Sequence, residues 1–207
     1  MSNIYLHDEI ISFLSEVRMS GYKKVTTNLK EALDLYKSDL VASSELWCFI
    51  HILEVALRNK IDHSLSTKYG DDWIYDRKFL SASQVEKLDK VLLSRKIASR
   101  EHLISELSFG FWTSFFGKDY EELWRQSLRF IFISKANIQR HNIAAKLKDI
   151  RYLRNRIAHH NPADIKIWRC SHHVKILEVL KLLSPTLEAW TARNLKISTE
   201  GELCKEC

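Results

Sequence analysis

Proline and glycine are scarce: there are two and five of them, respectively, in 207 residues. A many-stranded β fold needs frequent turns, and these two residues supply most of them. Their shortage excludes that class and fits helices joined by short connections. Cysteine is scarce as well. The four, Cys48, Cys170, Cys204 and Cys207, are unevenly spaced and build no disulfide framework, so a reducing cytoplasm is the expected setting. No apolar run approaches the roughly 18 residues that read as a membrane span. The start, MSNIYLHDEIISF, lacks a basic region ahead of an apolar stretch, so no secretory signal is expected. Gly-rich phosphate loops, G-x-S-x-G and H-E-x-x-H are missing too. This removes P-loop, hydrolase-elbow and zincin chemistries.

What is present describes a globular chain. Hydrophobic residues make up 45% and charged ones 28%, enough to bury a core. One domain is expected over residues 1–197, followed by a loose polar tail at 198–207. The net charge of +6 and the pI near 9.1 mildly favour an anionic partner, most commonly nucleic acid. An ordinary soluble surface can carry the same charge.

Apolar periodicity predicts an all-α bundle. A short helix over His7 to Met19 is expected to stop at Gly21, and a second to be capped by Thr26 or Thr27. A third, capped by Ser43 or Ser44, should run to about Leu65 with Leu46, Ile50, Leu53, Leu57 and Ile61 on one stripe. Trp73 anchors a polar turn. Ser81 and Gln84 form a capping box, and Arg95 to Arg100 reads as a basic connector. Gly110, inside the apolar stretch from His102 to Phe116, suggests close approach of another backbone. Asp119 can cap the next helix. The last helix covers His172 to about Trp190, kinked or restarted at Pro185 with Ser184 as its new cap. Its seam of Ile176, Leu180, Leu183, Leu187 and Trp190 suits either core or a partner surface.

The chemistry concentrates in IAAKLKDIRYLRNRIAHHN, Ile143 to Asn161. At about 100° per residue, Ile143, Leu147, Ile150, Leu153 and Ile157 fall on one face of a helix running from near Ala136 to about His160. Arg154 falls within roughly 20° of Ile143, near the middle of that face. A guanidinium stays charged, and burying it unpaired is costly, so Arg154 must reach a polar cleft or an anion. Asn155 and His159, four residues apart, share a flank beside it. A cation, an amide and an imidazole at one rim suit a phosphodiester. The competing explanation is a buried ion pair at Arg154 and a satisfied core histidine at His159.

RNRIAH, Arg154 to His159, is an R-N-x-x-x-H motif, and in the setting LRNRIAHHN it resembles the Abi-like (abortive infection) proteins of the HEPN superfamily of ribonucleases. Two further blocks agree: LEVALRNKI (Leu53 to Ile61) followed by YGDDW, and LSFGFWTSFF (Leu107 to Phe116) followed by YEELW. The resemblance covers roughly Leu33 to Asn161. It implies a HEPN-like bundle and a homodimer whose paired motifs cleave RNA without metal or other cofactor, leaving a 2′,3′-cyclic phosphate. It also implies the role of a toxin in bacterial anti-phage defence, restrained by an RNA or protein antitoxin, with no membrane partner. Arg154 would be the phosphate cation, Asn155 the orienting amide and His159 the acid/base. The alternative function is a HEPN module that binds RNA or nucleotide as a scaffold without cutting.

Neighbouring residues carry weaker expectations. His160 could take a second proton role or simply end the helix, where a cationic His is favourable. Arg156 could contact an RNA phosphate or be a solvated charge. A second R-N-x-x-x-H, Arg58 to His63, is better explained by a surface ion pair between Glu54 and Arg58, four residues apart; both could still line the cleft. Trp168 is the best-placed aromatic for stacking on a base. Cys170, His172 and His173 with Cys204 and Cys207 could offer zinc ligands, but one C-x-x-C in a tail is a weak signal and no metal is expected.

Overall fold

The computed structural model describes residues 3–94, 96–133, 138–160 and 165–195. They are all-α, with no strand among the described residues. In order come α1 (Asn3–Leu14), α2 (Glu16–Lys23), α3 (Leu29–Tyr69), α4 (Ala82–Ser94), α5 (Arg100–Glu106), α6 (Phe109–Thr113), α7 (Glu121–Gln126), α8 (Arg140–Ala158), α9 (Ile165–Leu183) and α10 (Pro185–Asn194). Short 3-10 turns fill the connections between α3 and α4 and between α6 and α8.

The two helices expected either side of Ser43 are one 41-residue helix, α3, roughly 60 Å long. From Tyr22 to Tyr69 the chain holds neither glycine nor proline, so nothing forces an exit. Ser44 therefore donates back to the Val41 carbonyl at 2.7 Å instead of capping. Asn28, not Thr26 or Thr27, is the cap: its side-chain oxygen accepts from the Lys30 and Glu31 amides. Gly70, at φ 87°, ends the helix in a conformation glycine adopts freely. An 18-residue window of α3 reaches a mean hydropathy of 1.6, so by length and composition alone this helix could cross a membrane. Its apolar stripe is instead the wall of the protein's own core: Leu46, Phe49, Ile50, Leu53, Leu57, Ile61 and Leu65 are all buried.

Against this stripe pack α9, α8 and α6. A cluster of Trp73, Phe109, Phe111, Trp112, Phe115 and Phe116 closes the far end, its rings mostly edge-to-face. Trp73, the expected anchor, donates its indole N–H to Asp62 at 2.9 Å. Asp62 in turn pairs with Arg100, whose Nε donates to the Asp71 carbonyl at 2.6 Å. Arg100, expected as part of a basic connector, is thus a half-buried clamp at the start of α5. The capping box forms as expected: the Ser81 amide donates to Gln84 Oε1 at 3.1 Å, and Gln84 is fully buried.

Several boundaries move. The first expected helix splits at Ser15, which adopts φ 73° and accepts from the Arg18 amide, while Gly21 lies inside α2. Asp119 caps nothing; it sits in a 3-10 turn, and Tyr120 precedes α7. Gly110 meets no backbone: a Cβ there would touch the Arg151 side chain at 3.7 Å, an ordinary contact. The helix expected from near Ala136 begins at Arg140 and ends at Ala158. Residues 134–137 and Asn161–Pro162 lie outside the described residues, as does the 198–207 tail. Ser184 caps α10 ahead of Pro185 as expected, its side chain accepting from the Leu187 amide. The terminal seam is core at Ile176, Leu180 and Leu183 and surfaces at Trp190. A smaller core of Ile11, Met19, Tyr22 and Ala32 joins α1 and α2 to the first turns of α3.

Trp73→Ala should open a cavity and remove one of the donors to Asp62, which keeps Arg100, lowering unfolding free energy by about 3–5 kcal/mol, measurable by urea denaturation.

Candidate active site at the end of helix α8

Ile143, Leu147, Ile150 and Leu153 are fully buried and seat α8 in the core. That orientation places Arg154 at the edge of the core, its side chain 28% exposed. Two residues of α3 hold it. The Trp47 ring lies under the guanidinium, with Cζ 5.4 Å from the ring centroid. Glu54 Oε2 stands 3.9 Å from Nε, a long ion pair that makes no hydrogen bond, and Nε has no hydrogen-bond partner among the described residues. Glu54 is itself largely buried. Burial pushes its carboxyl above the usual range, opposed by Arg154 and by the Phe109 backbone N–H that donates to it.

The expected Glu54–Arg58 ion pair is therefore replaced by Glu54–Arg154. Arg58 Nε donates to neighbouring Asn59 at 3.2 Å and acts on Glu54 only as a weak electrostatic neighbour. His63 is exposed on α3, and Asp62 between them is committed to Trp73 and Arg100.

Beside Arg154, a cavity of about 360 Å³ opens to solvent. Arg151, Arg154 and Asn155 of α8 line it, together with Lys87 of α4 and the turn Ser108–Phe109–Gly110 leading into α6. Arg154 and Asn155 thus share one polar cavity. His159 does not line it. It is exposed one residue past the end of α8, its amide donating to the Asn155 carbonyl at 3.0 Å. The three motif residues share one helix end, and the imidazole stands outside the cavity rather than within it. Arg154 is paired, as the ion-pair explanation requires, yet it is open to solvent, and His159 is no core histidine.

A second, mainly apolar cavity of about 700 Å³ lies across the helix end, between α2, the first half of α3 and residues Arg156 to Ala158 and His160. Arg156 is laid on Tyr152, donating to its hydroxyl at 3.1 Å with the guanidinium 5.6 Å from the ring centroid. His160 ends the helix in a left-handed conformation, φ 50°, and its carbonyl accepts from Arg18. The side chains of Trp168 and Cys170, and Cys204 and Cys207, lie outside the described residues. Among the described residues no group of three His, Cys, Asp or Glu side chains gathers as a metal site.

Lys87, Arg151 and Trp47 are the members that sequence reasoning missed. Arg151 was within reach of it, being three residues before Arg154 on the same helix. Trp47 sits beside an apolar stripe, which does not announce a cation from another helix, and nothing local marks Lys87, which another helix brings in. No family model matches the chain, and no curated protein or solved structure matches it either.

The raised Glu54 carboxyl has a signed consequence for stability. Its folded pKa lies above the unfolded one, so its contribution is fullest in acid and is lost as pH rises through the folded value. Glu54→Gln, neutral at every pH and still able to accept from Phe109, should melt above the wild type at pH 7. The gap should close as the pH falls below the carboxylate range, a trend that thermal melts across pH 3 to 8 will show.

Proposed function

We propose that the protein is a HEPN-type, Abi-like endoribonuclease that cleaves RNA without a metal. The observation that carries this reading is a complete R-N-x-x-x-H at the end of α8, with its arginine held but not saturated at the mouth of a basic cavity. Arg154 and Asn155 would bind the scissile phosphate there. His159, exposed to solvent, would take the proton from the ribose 2′-hydroxyl. The new O2′–P bond forms as the P–O5′ bond breaks, giving a 2′,3′-cyclic phosphate, with Arg154 offsetting the charge on phosphorus. The leaving 5′-oxygen needs a proton from a second acid. A two-fold dimer supplies it as the same histidine of another copy, so the working form is a homodimer. By the same resemblance its biological role is that of a cytoplasmic toxin in bacterial anti-phage defence, held in check by an RNA or protein antitoxin.

The non-cutting alternative draws on one observation, the Glu54 carboxylate that offsets part of the Arg154 charge. The two readings separate in one assay: purified protein with total RNA in excess EDTA. The nuclease reading expects fragments ending in cyclic phosphate from wild type. It expects none from His159→Ala or Arg154→Ala of unchanged circular dichroism, and loss of toxicity when these variants are expressed in bacteria. RNA that stays intact with the wild-type dimer defeats it in favour of a binder.

A further inference from the structure

The cavity beside Asn155 holds more positive charge than one phosphate requires. Lys87 approaches from α4 and Arg151 from α8, joining Arg154 around about 360 Å³ of solvent-open space. Lys87 and Arg151 have no hydrogen-bond or ion-pair partner among the described residues, and no carboxylate lines the cavity. Three like charges gathered in a partly buried concavity repel one another, and low-dielectric walls strengthen that repulsion. Glu54, behind Arg154, offsets part of one of these charges from outside the cavity; an anion inside it would relieve the rest. The two partnerless cations face the same space as Asn155, and Ser108 adds a hydroxyl to the rim.

Resting on the nuclease reading for its substrate, we propose that Lys87 and Arg151 hold a second backbone phosphate of a single-stranded RNA, adjacent to the one at Arg154. The strand would then run from the end of α8 along the groove between α8 and α4. A phosphate held at each end fixes the ribose between them, so these residues position the strand rather than take part in proton transfer.

The test measures binding, not cleavage. Fluorescently labelled single-stranded RNA is titrated against the full-length His159→Ala protein in EDTA across a chloride series, followed by anisotropy. Each phosphate neutralised on a single strand contributes about 0.7 to the slope of log K against log salt. Lys87→Gln and Arg151→Gln should each lower the slope by about 0.7, and the pair by about 1.4, weakening binding evenly across RNA sequences. Arg151→Lys should restore the slope. Lys30→Gln, roughly 36 Å along α3 from Glu54, should leave it unchanged. Slopes unaltered in the Lys87 and Arg151 variants overturn the proposal. So does displacement of RNA by inorganic phosphate at matched ionic strength, which would assign the cavity to a free anion. The two readings fail separately. Wild-type protein that cuts nothing while the slopes fall sinks the nuclease and keeps this site, whereas cleavage with unaltered slopes sinks this site alone.

Discussion

The unbroken apolar stripe of α3 is the constraint on which the rest depends. It buries Leu46 through Leu65 against α8, α9 and α6, and a helix has only one rotational setting that buries all of them. That setting decides where the residues beside the stripe point. Trp47 and Glu54, seven positions and about two turns apart, are thereby brought to the same guanidinium on α8. The position of Arg154 is a by-product of core packing, so its precision is that of the hydrophobic interior and not that of a surface loop.

Electrostatically the site is held away from its own optimum. The Glu54 carboxyl is buried enough for its ionised form to be disfavoured, and Arg154 is close enough to oppose this without closing a hydrogen bond. A carboxylate at 3.9 Å fixes a cation without quenching it, leaving donors for an incoming anion. The cluster with Lys87 and Arg151 extends the same tension. Stability conceded at a site in this way is the usual companion of pre-organised charge.

The residues legible in advance were those whose meaning is local. The angle of Arg154 on its helix, the capping box at Ser81, the Trp73 anchor and the restart at Pro185 all follow from spacings of a few residues, and the all-α class follows from periodicity. The departures come where packing beyond the local sequence decides. Ser43, Ser44 and Asp119 are good cap residues, and a cap needs the backbone to leave the helix; where packing continues the helix or tightens it to a 3-10 turn, their side chains do something else, while Thr26 lies in the loop and accepts from the amide of Asn28, the actual cap. Ser15, not Gly21, breaks the first helical stretch, because a non-glycine residue is held there at positive φ. Glu54 was paired with Arg58 by the i, i+4 rule, and a tertiary neighbour won it. Lys87 lay beyond any such rule, since only the meeting of α4 with α8 gives it a role. His159 follows Asn155 by one turn as expected, and the early end of α8 leaves its ring in solvent.

The link between Arg18 and the His160 carbonyl joins residues 142 positions apart. The turn that completes the motif is therefore fastened by α2, a segment remote from it in sequence. Closing so large a loop costs chain entropy before the bond forms, and contacts of this separation form late in assembly. The helix carrying Arg154 can wind on local contacts alone. Its last residues reach their final course only when α2 has docked against them, so assembly leaves the motif unfinished until that long-range contact has formed.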